Sequence, residues 1–98
     1  MTIKKTETYE KWFKSLKDEA GKAHITYRLR RIETEGFFGD CVKIKDSELF
    51  ELRIHYGPGY RIYFVERDKN TIVLVLRGGK KAAQKEDIKK AKKQAKEN

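Results

Sequence analysis

The sequence has very little of the features that define several common classes of small protein. It contains one cysteine, Cys41, among 98 residues, so no internal disulfide can form. It has one proline, no run of about 20 apolar residues that would span a membrane, and no N-terminal apolar segment that would direct export. We therefore expect a protein of the reducing cytoplasm with no membrane partner.

Soft metal ligands are equally scarce. The chain contains only His24, His55 and Cys41, and none of these residues is paired at the short spacing that zinc sites use. We therefore predict no metal site and no cofactor. We assign no function to His24 or Cys41, because neither has an evident partner in the sequence.

Positive charge dominates what is present. Lys and Arg number 24 against 15 Asp and Glu, which gives a formal net charge of +9. An excess of this size favours a polyanionic partner, either nucleic acid or an acidic protein. Residues 80–98 hold eight lysines and three acidic residues. This pattern fits a surface that faces phosphates, and it fits a merely soluble helix face equally well.

Apolar residues at helical spacing predict three helices. Thr6 caps the first helix, Asp18 caps the second, and Gly36 ends the second after Glu35. The arginines of "RLRR", residues 28–31, point to at least two sides of the second helix, so we expect them to be solvated. The last helix follows "GGKK". Its apolar and small residues at helical spacing are Ile88, Ala91 and Ala95, with Gln84 before them.

Period-two patterns predict four strands between the second and third helices, and the short "TIKK" before the first helix is a possible fifth. The four segments are "CVKI", residues 49–56, residues 60–65 and "TIVLVL". The turn Gly57-Pro58-Gly59 makes the second and third of these strands antiparallel neighbours. "TIVLVL" is apolar on both faces, which is typical of a central strand.

The hairpin around this turn places polar residues on one face. Arg53, His55, Arg61 and Tyr63 alternate with apolar residues, so they should share the face opposite the helix hairpin. One interpretation is the solvated face of an antiparallel sheet. The other is a site that cleaves RNA without a metal, which needs a base for the 2′-hydroxyl, cations for the phosphate and an acid for the leaving oxygen. Tyr63, pointing outward, would be placed to stack on a base.

The motifs of this hairpin and of the segments around it resemble a known family. "ELRI.YGPGYRIYF", then an apolar strand and "L.GG.K..Q..DI..A", together with "GD.VK" and "RLRRI", resemble the RelE/ParE toxins. The subgroup they resemble is that of the addiction module killer proteins, or HigB-like toxins. The resemblance covers nearly the whole chain. It implies a single α+β domain, residues 1–98, with an N-terminal helix hairpin packed on a twisted, mostly antiparallel sheet and a C-terminal helix.

The resemblance also implies a function, that of the toxin of a type II toxin–antitoxin system. Members of the RelE branch cut mRNA in the ribosomal A site without a metal, which inhibits translation and arrests growth. Arg53 and His55 stand where RelE-like enzymes have lysines, Arg61 matches a phosphate-binding arginine, and Lys81 stands near another catalytic arginine. The further positions expected to contact RNA are Lys43, Tyr63, Lys80 and Gln84.

Two departures from the family pattern leave the acid–base assignment open. The C-terminal tyrosine of RelE is absent, with Gln84 or Asp87 nearest to its position, and the usual "GGDKS.Q" reads "GGKKAAQ". ParE-like members of the superfamily poison DNA gyrase instead of cutting RNA. Inhibition of gyrase, and a nonenzymatic or decayed RNA-binding protein, are therefore alternatives to the endoribonuclease.

The resemblance further implies a set of partners. A toxin of this kind is silenced by a cognate antitoxin, in this subgroup usually a helix-turn-helix DNA-binding protein. The other expected partners are mRNA on the ribosome and operator DNA, the latter bound only through the toxin–antitoxin complex.

Overall fold

All 98 residues are described by the computed structural model of the chain. The elements are β1 (Thr2–Lys5), α1 (Glu7–Ser15), α2 (Glu19–Glu35), β2 (Cys41–Lys43), β3 (Phe50–Ile54), β4 (Tyr60–Arg67), β5 (Ile72–Lys80), a 3₁₀ turn (Lys81–Ala83) and α3 (Gln84–Glu97). The strands form one sheet in the order β1-β5-β4-β3-β2, in which β1 is parallel to β5 and the other pairs are antiparallel. The predicted α+β fold and its order of elements are confirmed, and "TIVLVL" is a central strand.

The helix caps form as the sequence predicts. Thr6 Oγ1 accepts a hydrogen bond from the backbone N–H of Tyr9 at 3.1 Å, and Asp18 Oδ1 accepts one from Gly21 at 2.9 Å. Gly36 ends α2 with φ +66°, in the left-handed region that glycine adopts without steric cost. No helix in the chain has the length and apolar character needed to cross a lipid bilayer.

Helices pack on both faces of the sheet. The face that carries α1 and α2 forms the larger core, whose buried residues are Tyr9, Ile25, Leu29, Ile32, Leu52, Ile54, Tyr60, Ile62, Phe64, Val73 and Val75. The face that carries α3 forms a second core of Leu49, Tyr63, Val65, Leu76, Ala91 and Ala95. The polar face of the hairpin is therefore largely covered rather than open, because the small residues Ala91 and Ala95 let α3 lie close to the strands.

A bulge in β5 adjusts the sheet to α3. Tyr63 is paired with Arg77, and Phe64 is paired with Val75, so Leu76 is an extra residue in β5. Because of this extra residue, Leu76 and Arg77 both face α3. Leu76 joins the second core, and Arg77 lies 3.4 Å from Asp87 of α3.

Strand β5 continues four residues beyond the apolar segment that predicted it, through Gly78 and Gly79 to Lys80. A Cβ atom on Gly78 would lie 2.3 Å from the Trp12 ring, so only glycine lets α1 pack against the strand here. The tryptophan itself is packed against the larger core, as its place on the helix stripe predicts.

Arg28 has a structural role, and the expectation that it is simply solvated is wrong. Its guanidinium donates to the carbonyl oxygens of Arg53 at 2.6 Å, Phe38 at 2.8 Å and Asp40 at 3.0 Å. Arg28 thus ties α2 to β3 and to the loop that precedes β2. Arg30, two residues away on the helix, is exposed as expected.

Candidate functional site

The strand register places six residues in two adjacent rows on the face that α3 covers. Paired residues of an antiparallel ladder lie side by side on one face of the sheet. The first row, across β3, β4 and β5, is Arg53, Arg61 and Gly79, and the second is Glu51, Tyr63 and Arg77. The predicted common face of Arg53, Arg61 and Tyr63 is therefore confirmed.

Arg61 is the most unusual residue of this face. Its side chain is buried, with 5% of the residue exposed, and its Nε and Nη1 atoms have no hydrogen-bond partner. By contrast, Arg53 pairs with Glu51 and Arg77 pairs with Asp87. A buried guanidinium without an acceptor is unfavourable, because it has lost its hydration and gained nothing in exchange. Arg61 is therefore a positive site that an incoming anion would stabilise.

Asp87 of α3 lies against Gly79, the neighbour of Arg61 in the sheet, but its carboxylate is paired with a different arginine. A Cβ atom on Gly79, the β5 partner of Arg61, would lie 1.9 Å from Asp87 Oδ2, so the glycine makes room for this carboxylate. The carboxylate pairs with Arg77 at 3.4 Å. Burial raises the pKa of Asp87, and the positive charge of Arg77 opposes that rise.

Glu51 is a second buried carboxylate of the site, and sequence reasoning missed it. Its Oε1 accepts from Arg53 Nε at 3.0 Å, and its Oε2 accepts from Gln84 Nε2 at 2.7 Å. Glu51 is fully buried. Its bond with Arg53 neutralises that arginine, and its bond with Gln84 ties the start of α3 to β3. Its alternation with Arg53 on β3 was the available signal, since two residues apart on a strand means the same face.

Tyr63 lies on the predicted face but is fully buried, so the expectation that it points outward and can stack on a base is wrong. The covering element is α3, whose Ala91 and Ala95 share its core. The Tyr63 hydroxyl has no hydrogen-bond partner. Burial first, and then the carboxylate of Glu51, raises the pKa of Tyr63, so its phenol stays protonated at neutral pH and keeps a proton to donate.

His55 lies at the exposed margin of the site, immediately after β3. Its Nε2 atom is 2.5 Å from Asp40 Oδ2. The hydrogen bond from His55 is the largest cause of the lowered pKa of Asp40. The electrostatic effects of His55 and Arg53 lower that pKa further. An ionised carboxylate only accepts, so the Nε2–H of His55 donates to Asp40, and this bond fixes the orientation of the ring. Asp40 is a positioning residue that the sequence reading did not assign, although "GD" stands directly before β2, the partner of β3.

Two of the three lysines predicted for the site lie on the face of the sheet opposite Arg61, and the third lies in the turn before α3. Lys81 begins the 3₁₀ turn, is exposed, and its Cβ would lie 3.2 Å from a Cβ on Gly59 of the hairpin turn. Lys43 is paired with Phe50 and Lys80 with Tyr60, and both aromatic residues pack in or against the larger core beneath α1 and α2. Lys43 and Lys80 therefore lie on the face opposite Arg61, and the structure does not bring them to it.

The assembled side chains supply the parts of a phosphate-handling site. Arg53 and Arg61 are cations beside one another, His55 has a free ring nitrogen oriented by Asp40, and Tyr63 holds an unused hydroxyl proton. Gln84, predicted to contact RNA, instead bonds Glu51 across the site. The structure contains no group of three or more His, Cys, Asp or Glu side chains arranged to hold a metal ion.

Comparison with known proteins places the chain in a family. A family model described as phage derived protein Gp49-like matches residues 11–97, so the chain belongs to the Gp49-like family. An uncharacterized protein of Haemophilus influenzae is 42% identical over 90 residues, which cover 92% of this chain and 88% of that protein.

Solved structures show the same fold at low sequence identity. A chain of the intact E. coli RelBE toxin–antitoxin complex superposes on this chain with a TM-score of 0.66 and 15% sequence identity. The match covers 81% of this chain and 94% of the other. A mutant of E. coli RelE in the free state matches with a TM-score of 0.66 and 15% sequence identity, over 93% of this chain and 92% of RelE. A chain of the archaeal RelE–RelB complex from Pyrococcus horikoshii matches with a TM-score of 0.61 and 19% sequence identity, over 81% of this chain and 92% of the other. The predicted RelE-like fold is confirmed. Membership of the RelE/ParE superfamily and of its HigB-like subgroup stays a prediction.

The unpartnered charge of Arg61 predicts an unusual effect on stability. Arg61→Met removes a buried, unpaired cation and should raise the free energy of unfolding by about 1–3 kcal/mol. Arg77→Met is the matched control, because it leaves the buried Asp87 carboxylate unpaired and should lower stability by roughly 3 kcal/mol. Urea unfolding at neutral pH measures both. A loss of stability in Arg61→Met equal to that in Arg77→Met would show that Arg61 has a partner in the folded protein.

Tyr63 predicts a dependence of stability on alkaline pH. Its pKa in the folded state is raised above the ordinary value of 10, so the folded protein keeps a proton that the unfolded chain releases. Stability should therefore fall as pH rises above about 10, and Tyr63→Phe should reduce that fall by up to about 1.4 kcal/mol per pH unit. At pH 7 the variant should be nearly as stable as the wild type, since the lost hydroxyl has no partner.

Urea unfolding at pH 8 and pH 11 measures this effect, with Tyr27→Phe as a control for loss of an exposed phenol. Equal alkaline loss in the wild type and Tyr63→Phe would contradict the burial of an ionisable hydroxyl at this position.

Proposed function

We propose that the chain is the toxin of a type II toxin–antitoxin system, and that it inhibits translation by cutting mRNA on the ribosome without a metal. The observation that carries this proposal is the buried Arg61 guanidinium, which has two unpartnered nitrogens beside Arg53. This arrangement suits a phosphodiester, because guanidinium groups match phosphate oxygens in charge and geometry. The RelE fold of the chain supports the same function.

Each step of the reaction can be assigned to a residue of the site. Arg61 and Arg53 bind the scissile phosphate and stabilise the charge that develops on it. His55 Nδ1 accepts the proton of the 2′-hydroxyl while Asp40 holds the ring, so the 2′ oxygen attacks phosphorus. The bond from phosphorus to the 5′ oxygen breaks, and Tyr63 donates a proton to the leaving oxygen. The products are a 2′,3′-cyclic phosphate and a 5′-hydroxyl.

Access to Arg61 requires a local movement of the chain. Arg61 and Tyr63 are buried on the sheet face that α3 covers, whereas Arg53 and His55 remain partly or largely exposed. The hydrogen bond from Gln84 to Glu51 spans this cover. Breaking it, as α3 shifts from β3, would open the inner cation to a phosphate. A phosphate first held by Arg53 and His55 at the margin is positioned to make that exchange.

A cognate antitoxin is the expected partner. The RelE chains of E. coli and Pyrococcus horikoshii have been crystallised in complex with RelB. We infer that this chain is likewise silenced by a protein encoded beside it, a helix-turn-helix protein through which the complex contacts operator DNA. Coexpression of the adjacent reading frame should restore growth to cells arrested by this chain, and continued arrest would remove that protein as the antitoxin.

The proposed reaction predicts which variants lose activity. Primer extension on mRNA from induced cells should show cleavage within codons by the wild type. Arg61→Ala should reduce cleavage by about 10²- to 10³-fold, through loss of phosphate stabilisation, and His55→Ala by about 10²-fold or more. Arg30→Ala is the matched control, because it removes an exposed arginine from α2 and should leave cleavage unchanged.

The same experiment separates this function from inhibition of DNA gyrase. Growth arrest with intact transcripts would refute the endoribonuclease. Arrest that persists in Arg61→Ala and His55→Ala, together with inhibition of supercoiling by purified protein, would indicate a gyrase poison whose polar sheet face has no catalytic role. An inert protein that binds RNA without cutting it would indicate a decayed toxin.

A further inference from the structure

Helix α3 carries a regular row of lysines on the side that faces away from the sheet. Its buried side consists of Asp87, Ala91 and Ala95. At about 100° per residue, the opposite side of the helix carries four exposed lysines within an arc of about 80°. These residues, which we call the lysine ridge, are Lys85, Lys89, Lys93 and Lys96. The ridge extends along about 16 Å of helix axis.

The charges of the ridge are nearly unneutralised. Lys89 lies 3.9 Å from Glu86, and both side chains are about two-thirds exposed or more, so this pair contributes little. The other three ridge lysines form no ion pair. Lys85 and Lys89, and then Lys89 and Lys93, are like charges four residues apart, which destabilises the helix by a few tenths of a kcal/mol per pair. A polyanion bound along the ridge would remove this repulsion.

The composition of the ridge favours nucleic acid over protein as its partner. Protein interfaces are depleted in lysine at their centres and depend on buried aromatic or apolar anchors. The large exposed apolar residues of the chain are Tyr27, Phe37 and Tyr56, and none of them is on α3. Lysines without an anchor supply mobile point charges, which suit a row of phosphates and read no sequence.

We infer that the lysine ridge is a second RNA-binding surface, which holds the backbone of double-helical RNA while the Arg61 site handles the strand to be cut. This inference rests on the proposed function for the choice of RNA. Single-stranded binding depends on aromatic platforms, which the ridge lacks, whereas a duplex presents its phosphates on the outside. Helix α3 thus carries Gln84 at the site and the ridge on its outer side, so one helix connects catalysis to docking on structured RNA.

The test is a binding measurement on the purified protein without ribosomes. The probe is a fluorescent RNA hairpin with a stem of about 16 base pairs, titrated at several salt concentrations. Changing the four ridge lysines to glutamine keeps good helix formers and removes four charges. This variant should bind at least about tenfold more weakly, and the slope of log K against log[salt] should fall by about 2–4.

The matched control removes the same charge from elsewhere. It changes Lys5, Lys11, Lys14 and Lys17, all exposed on β1, on α1 or just after α1, to glutamine. The control should retain most of the affinity and of the salt slope. Equal losses of RNA affinity in the two variants would show that the ridge lysines act only through the net charge of the protein, and would overturn the proposal. Binding to duplex DNA alone, or displacement by polyglutamate without any RNA binding, would overturn it as well.

The outcome is distinguishable from failure of the proposed function. Intact mRNA on ribosomes, together with ridge-dependent binding of the hairpin, would refute the endoribonuclease activity and still support the RNA-binding surface. The opposite result is that the wild type and the ridge variant cleave ribosomal mRNA at the same rate and bind the hairpin with equal affinity. It would refute the RNA-binding surface and still support the endoribonuclease activity.

Discussion

A buried cation without an anionic partner is the constraint on which the arrangement of this molecule depends. Arg61 lies on a sheet face covered by α3. The two buried carboxylates between the sheet and this helix, Glu51 of β3 and Asp87 of α3, are bonded to Arg53 and Arg77. Each carboxylate thus neutralises a different arginine, and Arg61 is left with free donors. Such an arrangement lowers stability in the free protein, and a bound phosphate would reverse that effect.

Helix α3 connects the site to the rest of the fold. Ala91 and Ala95 bring it close to β4 and β5, the bulge at Leu76 turns Arg77 toward it, and Gln84 reaches across to β3. The same helix carries six lysines, and four of them form the ridge on its outer side. Covering the site and presenting the ridge are therefore two consequences of how one helix docks, so a movement of α3 would alter both together.

Local rules predicted much of the fold. The caps at Thr6 and Asp18, the glycine that ends α2 and the alternation around Gly57-Pro58-Gly59 each depend on a few neighbouring residues, and the structure confirms them. What the sequence did not reveal depends on long-range packing. The face on which α3 docks decided that Tyr63 is buried, and strand pairing decided that Lys43 and Lys80 lie opposite Arg61. The roles of Glu51 and Asp40 were not predicted, because each depends on the side chain that folding places beside it, Arg53 for Glu51 and His55 for Asp40.

Analysis of the ends of the cleaved mRNA tests the central claim most directly. Ribosomes programmed with a defined mRNA are treated with the purified protein, and the fragments are examined by mass spectrometry. Attack by the 2′-hydroxyl predicts a 2′,3′-cyclic phosphate or its hydrolysed 3′-phosphate on one fragment and a 5′-hydroxyl on the other. A single 2′-deoxynucleotide at the cut position should abolish cleavage. Fragments with a 5′-phosphate and a 3′-hydroxyl, or cleavage that survives the deoxy substitution, would contradict the account.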